Sequence, residues 1–319
     1  MTVAVGVVGA GVMGAEHVRR LAGEVEGAAV VAVADADAER ARAAAAAAGA
    51  RASADPLALI RADDVDAVVI ASSDATHAAF VFACLAEGKP VLCEKPLATT
   101  AEASLELAET EAAAGRRLVQ VGFMRRFDPA YAAVKHELDA GRLGGLLLMH
   151  CAHRNASVPP AYTSEMLITS SLSHELDVVR WLTGEEIAAV TVLAPRSSAL
   201  AGGIRDPQLA ILETAGGVLV DVEVFANARY GYDIRCELVG EQGTAALPEA
   251  VAPGFVERFA DAYRLELQQW VAAVERGAPA GPSAWDGYAA SAAADACLAS
   301  LAGGTRVDVR LAERPALYA

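Results

Sequence analysis

A glycine-rich turn between an apolar segment and a helix is the feature that most constrains the fold of this chain. The segment Val3–Val8 is typical of a buried strand; the sequence Gly-Ala-Gly-Val-Met-Gly follows it directly and opens a predicted helix over Val12–Ala22. Glycines at these spacings permit a tight turn, close approach of a pyrophosphate to the backbone, and tight helix packing, while the helix N-terminus supplies N–H donors. We therefore predict a dinucleotide-binding turn with the cofactor contacts Gly9, Gly11, Val12, Met13 and Gly14.

A carboxylate at the end of the second predicted strand, Ala29–Ala34, indicates which dinucleotide binds. Asp35 stands where a carboxylate holds the ribose 2′-hydroxyl, and its charge would repel a 2′-phosphate. The sequence therefore predicts NAD rather than NADP. The structural alternative is a glycine-rich turn followed by a helix-capping Asp without a nucleotide.

The first part of the chain alternates short apolar runs with helical patterns, as a parallel sheet with crossover helices does. The predicted strands are Val3–Val8, Ala29–Ala34, Ala67–Ala71, Pro90–Cys93 and Leu118–Val121. The predicted helices are Val12–Ala22, Ala38–Ala48, Ala75–Ala86 and Ala101–Ala114. We predict a doubly wound α/β Rossmann domain over residues 1–122.

Beyond residue 122 the pattern changes to strands that mostly lack intervening helices. The strands are predicted at Leu146–Ala152, Ala188–Leu193, Gln208–Glu213, Val218–Val224 and Tyr232–Gly240. The helices are predicted at Pro129–Ala140, Glu165–Thr183, Phe255–Glu275 and Ala284–Ala302. Consecutive strands joined by turns pair antiparallel, so residues 123–319 are predicted to form an α+β domain with a mainly antiparallel open sheet.

Polar residues follow two of the parallel strands, at the edge where such sheets bind ligands. Ser72, Ser73 and His77 follow one strand, and Glu94 and Lys95 end the next, before a proline. We predict cofactor contacts for all five. A helix cap in the first group and a solvated lysine in the second are the structural alternatives.

Composition excludes several classes of function. The net charge of −15 and the lack of a basic patch argue against binding to nucleic acid or an anionic membrane surface. The five cysteines show no C-x-x-C spacing, so we expect neither a metal nor a redox pair, and a reducing, cytoplasmic location. No apolar run reaches the length of a membrane helix, and the start does not resemble a signal peptide.

The glycine motif, Asp35, the Glu94-Lys95-Pro96 sequence and the His-Glu-x-Asp sequence at His174–Asp177 together resemble the Gfo/Idh/MocA oxidoreductases. Segments beginning at Gly122, His150 and Tyr230 are similar to the inositol dehydrogenases of that family. The resemblance implies a Rossmann domain, a C-terminal sheet that forms dimers or tetramers, and oxidation of a polyol or sugar by hydride transfer to a nicotinamide.

The resemblance also implies roles for individual residues. Lys95 matches the family lysine that stabilises the alkoxide, and His174 matches the proposed general base. The residues that match the polyol pocket are Met124, Arg125, His153, Asn155 and Tyr232. We predict that His174 and Ser170 also contact the substrate, and that Ser170 belongs with Lys95 and His174 to the catalytic group. The structural alternatives are core packing for Met124, a solvated charge for Arg125, strand-end polar groups for His153 and Asn155, and sheet packing for Tyr232.

Ser170 departs from the inositol dehydrogenase pattern, which has an Asp four residues before the catalytic His. On an α-helix this spacing would place the Asp beside His174 and raise its basicity, whereas a neutral Ser cannot stabilise the imidazolium by charge. Either activity is reduced, or the substrate is not an ordinary inositol, or the charge comes from elsewhere. We predict an NAD-dependent dehydrogenase of a cyclic polyol, most consistent with an inositol. The alternatives are a dehydrogenase of another sugar, glycoside or amino-polyol, and a catalytically silent NAD(H)-binding regulator.

Overall fold

The structure is a computed structural model that describes residues 2–277 and 281–319. It divides into two compact units. Unit 1 comprises Met1–Met124, Tyr263–Tyr288 and Glu313–Ala319, and unit 2 comprises Arg125–Ala262 and Ala289–Ala312. The first break lies close to the predicted division after residue 122, but the units differ from the continuous predicted ranges because two C-terminal segments group with unit 1.

Unit 1 contains a six-stranded parallel sheet in the order β3-β2-β1-β4-β5-β6, which confirms the predicted Rossmann fold. Its strands are β1 (Val3–Val8), β2 (Ala28–Ala34), β3 (Arg51–Ser53), β4 (Ala67–Ile70), β5 (Val91–Glu94) and β6 (Val119–Gly122). Its first helices are α1 (Val12–Gly23), α2 (Ala38–Ala48), α3 (Pro56–Arg61), α4 (Asp74–Ala86) and α5 (Ala101–Ala113).

Capping residues mark both ends of α2, and its bounds match the predicted helix Ala38–Ala48. The Asp37 carboxylate accepts hydrogen bonds from the backbone N–H groups of Glu39 and Arg40 at the start of α2, and Gly49 ends the helix with φ +67°. The short β3 and α3 were not predicted. Because β3 has three residues, all at least partly exposed, it shows no apolar alternation.

A C-terminal helix, α9 (Ala260–Arg276), supplies part of the core of unit 1. Leu267, Trp270 and Val271 are buried in one cluster with the β1 residues Val3 and Val5. These apolar side chains explain why the segment from Tyr263 groups with the first part of the chain.

Unit 2 contains a mixed sheet in the order β12-β11-β7-β10-β9-β8-β14, with β13 paired to β11. Its strands are β7 (Leu146–Arg154), β8 (Ile187–Leu193), β9 (Gln208–Thr214), β10 (Leu219–Phe225), β11 (Tyr232–Gly240), β12 (Thr244–Ala246), β13 (Val251–Ala252) and β14 (Val307–Asp308). Pairing is antiparallel except between β7 and β10, which confirms the mainly antiparallel prediction. In β9, buried residues alternate with partly exposed ones, as in a sheet with one solvated face.

The remaining helices are α6 (Pro129–Asp139), α7 (Ser173–Thr183), α8 (Phe255–Arg258) and α10 (Ala284–Gly303). Two predicted helices are interrupted. The segment Glu165–Thr183 contains a π-helix over Leu167–Leu172 before α7, and Phe255–Glu275 is divided into α8 and α9. The apolar periodicity of a sequence does not reveal the extra residue in a π-helical turn, because the turns on either side keep the α-helical period.

The five cysteines are buried free thiols. Among the described residues, no helix is long and apolar enough to cross a membrane.

Candidate functional site

The glycine turn of unit 1 leaves no room for side chains at its first and third glycines. Gly9 has φ +97°, and a Cβ there would lie 2.4 Å from the carbonyl of Ala71. A Cβ at Gly14 would lie 1.9 Å from the carbonyl oxygen of Gly9, whereas Gly11 faces open space. The turn therefore requires glycine for packing at two positions and presents bare backbone at the third, directly before α1.

Asp35 is anchored beside this turn by three hydrogen bonds. Its Oδ2 accepts the N–H of Ala10 at 2.7 Å, and its Oδ1 accepts the N–H of Asp37 at 2.7 Å and the guanidinium of Arg40 at 3.0 Å. Burial raises the pKa of Asp35, but these hydrogen bonds outweigh it and hold the pKa below its usual value. The carboxylate is therefore ionised and fixed at the end of β2.

A cavity of about 540 Å³ in unit 1 lies over the turn and Asp35. Of the predicted cofactor contacts, Gly9, Gly11, Val12, Met13, Asp35, Ser72 and Ser73 line it. The sequence reasoning did not name Ala36, Arg40, Ala54, Pro56, Thr76 and Phe80 as lining residues. Arg40 stands in the first turn of α2, five residues after Asp35, and the apolar periodicity of the sequence does not indicate that the two side chains meet.

His77 connects the loops that follow β4 and β5. Its Nδ1 lies 2.7 Å from the carbonyl oxygen of Pro96, and its Nε2 lies 3.2 Å from that of Ser72. The ring is buried, with 1% of its surface exposed. This geometry places His77 behind the ligand edge of the sheet, where it fixes both loops.

Glu94 is buried at the end of β5 and pairs with His17 on α1. The His17 Nε2 lies 2.7 Å from the Glu94 Oε1, and the backbone N–H of Lys95 donates to Oε2 at 3.3 Å. Burial raises the pKa of Glu94, whereas the hydrogen bond with His17 and the nearby charge of Lys95 lower it below its usual value. The peptide bond between Lys95 and Pro96 is cis.

In unit 2, His174 lies in the first turn of α7 near two other predicted substrate residues. Its ring centroid is 6.2 Å from that of His153, which packs edge-on against Tyr232 at 5.8 Å. The three side chains are buried, and His174 is 8% exposed. The structure thus brings together three of the predicted polyol contacts on β7, β11 and α7.

Arg125 and Glu175 form a buried ion pair beside this cluster. The Arg125 guanidinium donates to Glu175, and the Nδ1 of His153 lies 3.1 Å from both partners. Burial raises the pKa of Glu175, but the charges of Arg125 and His153 lower it to about 2. Arg125 also lies over the ring of Phe259, and its exposed fraction is 0%. Its described contacts therefore hold His153 and Glu175 in place.

Ser170 lies in the π-helical turn, so the regular α-helical spacing assumed between Ser170 and His174 is interrupted. The Tyr162 hydroxyl lies 2.9 Å from the Ser171 Oγ, which accepts a hydrogen bond from Asn155 at 3.3 Å. Burial raises the pKa of Tyr162, and hydrogen bonds with Ser171 and Ser170 oppose that rise. Asn155 and Ser170 therefore share one hydroxyl network, in which Tyr162 was not predicted.

Asp177, which ends the His-Glu-x-Asp sequence, and the predicted substrate residue Met124 also have defined surroundings. Asp177 is held by the guanidinium of Arg126, whose Nε donates to it at 2.9 Å. Met124 is 1% exposed at the end of unit 1. Among residues 2–277 and 281–319, no group of three His, Cys, Asp or Glu side chains is arranged to hold a metal ion.

Comparison with known proteins gives three family matches that together span most of the chain. The model described as "Oxidoreductase family, NAD-binding Rossmann fold" matches residues 3–123. The "GFO/IDH/MocA C-terminal domain" matches residues 131–246, and the "Oxidoreductase family, C-terminal alpha/beta domain" matches residues 247–309.

Full-length relatives carry related names. Inositol 2-dehydrogenase 1 of Saccharopolyspora erythraea is 58% identical over 100% of this chain and 99% of its own length. The inositol 2-dehydrogenase of Burkholderia cenocepacia is 48% identical with the same coverage. The crystal structure of Lactobacillus casei myo-inositol dehydrogenase with NAD(H) and myo-inositol has a TM-score of 0.96 and 37% identity, covering 100% of both chains.

Proposed function

This chain belongs to the Gfo/Idh/MocA oxidoreductase family, and from that membership we propose that it oxidises a ring hydroxyl of an inositol to a ketone with NAD. The relatives named inositol 2-dehydrogenase match the full chain at 48% to 58% identity, which supports an NAD-dependent dehydrogenase of a cyclic polyol. The structural observation that supports NAD as the redox cofactor is the anchored Asp35 beside a glycine turn in which two positions have no room for a side chain.

The residues of unit 1 fit NAD. The exposed backbone at Gly11 and the start of α1 would bind the pyrophosphate. The ionised Asp35 would accept hydrogen bonds from the ribose hydroxyls. When bound, NAD would supply an acceptor for the hydride that leaves the carbinol carbon of the substrate. Ser72 and Ser73 line the same cavity and would contact the cofactor from the loop after β4.

His174 and Lys95 are proposed to handle the proton and the charge of the reacting hydroxyl. A neutral His174 accepts the hydroxyl proton, and the Lys95 ammonium stabilises the negative charge that develops on the oxygen. His153, Asn155 and Tyr232 are proposed to contact the other ring hydroxyls. Their proximity to α7 and to the hydroxyl network of Ser171 supports this assignment.

We keep Met124 and Arg125 in the proposed substrate site, and we propose that Arg125 acts on a neighbouring side chain. Because its guanidinium is fully buried against Glu175 and His153, we propose that it fixes His153 in place. Ser170 is proposed to bind substrate through its hydroxyl, together with the hydroxyl network of Tyr162.

The function is tested by following the near-ultraviolet absorbance of NADH with NAD and a panel of inositols, sugars and glycosides. Reduction of NAD by an inositol is the expected result. Activity with another sugar or a glycoside, and none with an inositol, would show that the substrate belongs to another class. Ser170 in place of the usual Asp favours that alternative. NAD binding without turnover of any member would instead indicate a silent regulator.

We also propose that the chain forms a homo-oligomer, a dimer or tetramer, and works in the cytoplasm. The partly exposed face of the unit 2 sheet supports the first proposal, and five unpaired buried thiols fit a reducing compartment. Light scattering at several protein concentrations tests the assembly, and a constant monomer mass would refute it.

A further inference from the structure

His17 and Glu94 form a buried pair, and neither side chain lines the cavity over the glycine turn and Asp35. The side chains are 0% and 11% exposed, and their Nε2 and Oε1 atoms are 2.7 Å apart. A buried polar pair is costly unless its members are paired to each other, as these are. Glu94 directly precedes Lys95 in the chain, so the charge of Glu94 can act on that lysine.

The geometry indicates which partner carries charge. The Nδ1 of His17 is buried and has no hydrogen-bond partner among the described residues. A neutral ring that donates from Nε2 leaves only a lone pair at Nδ1, whereas an imidazolium would bury an N–H without an acceptor. The arrangement therefore favours a neutral His17 and an ionised Glu94.

The packing around Glu94 holds the carboxylate in one position. A Cβ on Gly122 would lie 3.0 Å from the Glu94 Oε2, so β6 closes over the carboxylate. The ring of Tyr263 meets the His17 ring edge-on with centroids 6.1 Å apart, which fixes the other partner.

Charged and titratable groups lie near Glu94 on two helices and on either side of it in the chain. His17 faces it from α1, His77 from α4, and Lys95 follows it in the chain. The thiol of Cys93 lies close enough for the Glu94 charge to raise its pKa, which burial already raises. Of these groups, Lys95 is the one with an ordinary charge of +1 at neutral pH.

We propose that the Glu94 carboxylate, held by His17, keeps Lys95 in its ammonium form over the pH range in which His174 is a neutral base. Glu94 and His17 are then positioning residues that act through Lys95. Catalysis requires a pH range in which the general base is neutral and the lysine is still charged. An adjacent carboxylate raises the pKa of the lysine and so extends that range to higher pH. The inference rests on the proposed catalytic role of Lys95.

The test measures the protonation of Lys95 directly, without turnover. The chain has three lysines, Lys89, Lys95 and Lys135, so acetic anhydride labelling of the full protein gives three side-chain sites to follow by tandem mass spectrometry. Labelling from about pH 7 to about pH 11 yields a midpoint for each amine. Lys89 and Lys135 serve as internal controls.

Glu94→Gln removes the charge and keeps an oxygen that can accept from His17. We expect the Lys95 midpoint to fall by about one pH unit, at the lower end of the shift caused by one adjacent charge, with both control lysines unchanged. The basic limb of the kcat/KM profile for inositol should move in the same direction. An unchanged Lys95 midpoint would overturn the proposal.

His17→Leu removes the donor to Glu94, and His17→Gln restores one. The leucine variant should lower the Lys95 midpoint, and the glutamine variant should return it toward the native value. Equal midpoints in all three proteins would remove His17 from the inference. Lys95→Ala with full activity would refute the proposed catalytic role, while the labelling result would still decide whether Glu94 sets the charge of Lys95.

Discussion

Replacing Asp35 should reverse the cofactor preference, and the structure explains why Arg40 takes part. The Arg40 guanidinium lies 3.0 Å from the Asp35 Oδ1 and lines the same cavity. In the native protein the carboxylate neutralises this cation and repels a 2′-phosphate. In Asp35→Ser, the guanidinium becomes available to an anion, and in Asp35→Ser with Ala36→Arg a second cation joins it.

The magnitude follows from the hydrogen bonds that change. Loss of the charged bond from Asp35 to the ribose is worth about 1.5–3 kcal/mol, so kcat/KM for NAD should fall about 10-fold to 150-fold. NADP should gain because the repulsion is removed and Arg40 pairs with the phosphate. Arg40→Ala alone should leave NAD use within a few-fold, since the Arg40 side chain is 56% exposed and its ion pair is weak.

The assay is NADH and NADPH formation at saturating inositol, with kcat/KM measured for both cofactors in each variant. Asp35→Ser with Arg40→Ala is the matched control, and it should lose the NADP gain while keeping the NAD loss. A native enzyme that uses NADP as well as NAD would refute the role of Asp35. An NADP gain that survives Arg40→Ala would refute the role of Arg40.

Three further predictions concern the proposed catalytic and packing residues. Lys95→Ala and His174→Ala should each lower kcat by about 10²-fold to 10⁴-fold with little change in NAD affinity; a variant with full kcat would lose its assigned role. Ser170→Asp should raise kcat/KM for myo-inositol about 10-fold if the imidazolium lacks a nearby charge, and the absence of a gain would direct the substrate search outside the inositols. Glu175→Gln leaves Arg125 buried without its counter-charge and should destabilise the protein by about 3–5 kcal/mol in urea unfolding, whereas an unchanged unfolding midpoint would contradict the buried pair. The depressed pKa of Glu175, about 2 against an ordinary 4.5, means that its contribution is complete above pH 4.5 and is lost as pH falls toward 2; Glu175→Gln should therefore flatten the acid side of the stability curve.

Local sequence determined the parts of this protein whose physics is local. The glycine turn before α1 depends on backbone conformation and close approach over a few residues, so its spacing was sufficient to predict the Rossmann fold and NAD. Cap residues such as Asp37 and Gly49 bond within one turn of their own helix, and they end α2 at the predicted bounds, Ala38–Ala48. The apolar periodicity of the strands likewise located most of both sheets.

Tertiary structure decided the features that depend on partners far apart in the chain. Trp270 packs against β1, and Arg125 pairs with Glu175, but nothing in the spacing of these residues indicates that they meet. The His17–Glu94 pair likewise joins α1 to the end of β5. A charged side chain can be solvated or buried with equal local propensity, and only the folded chain supplies the counter-charge that makes burial stable.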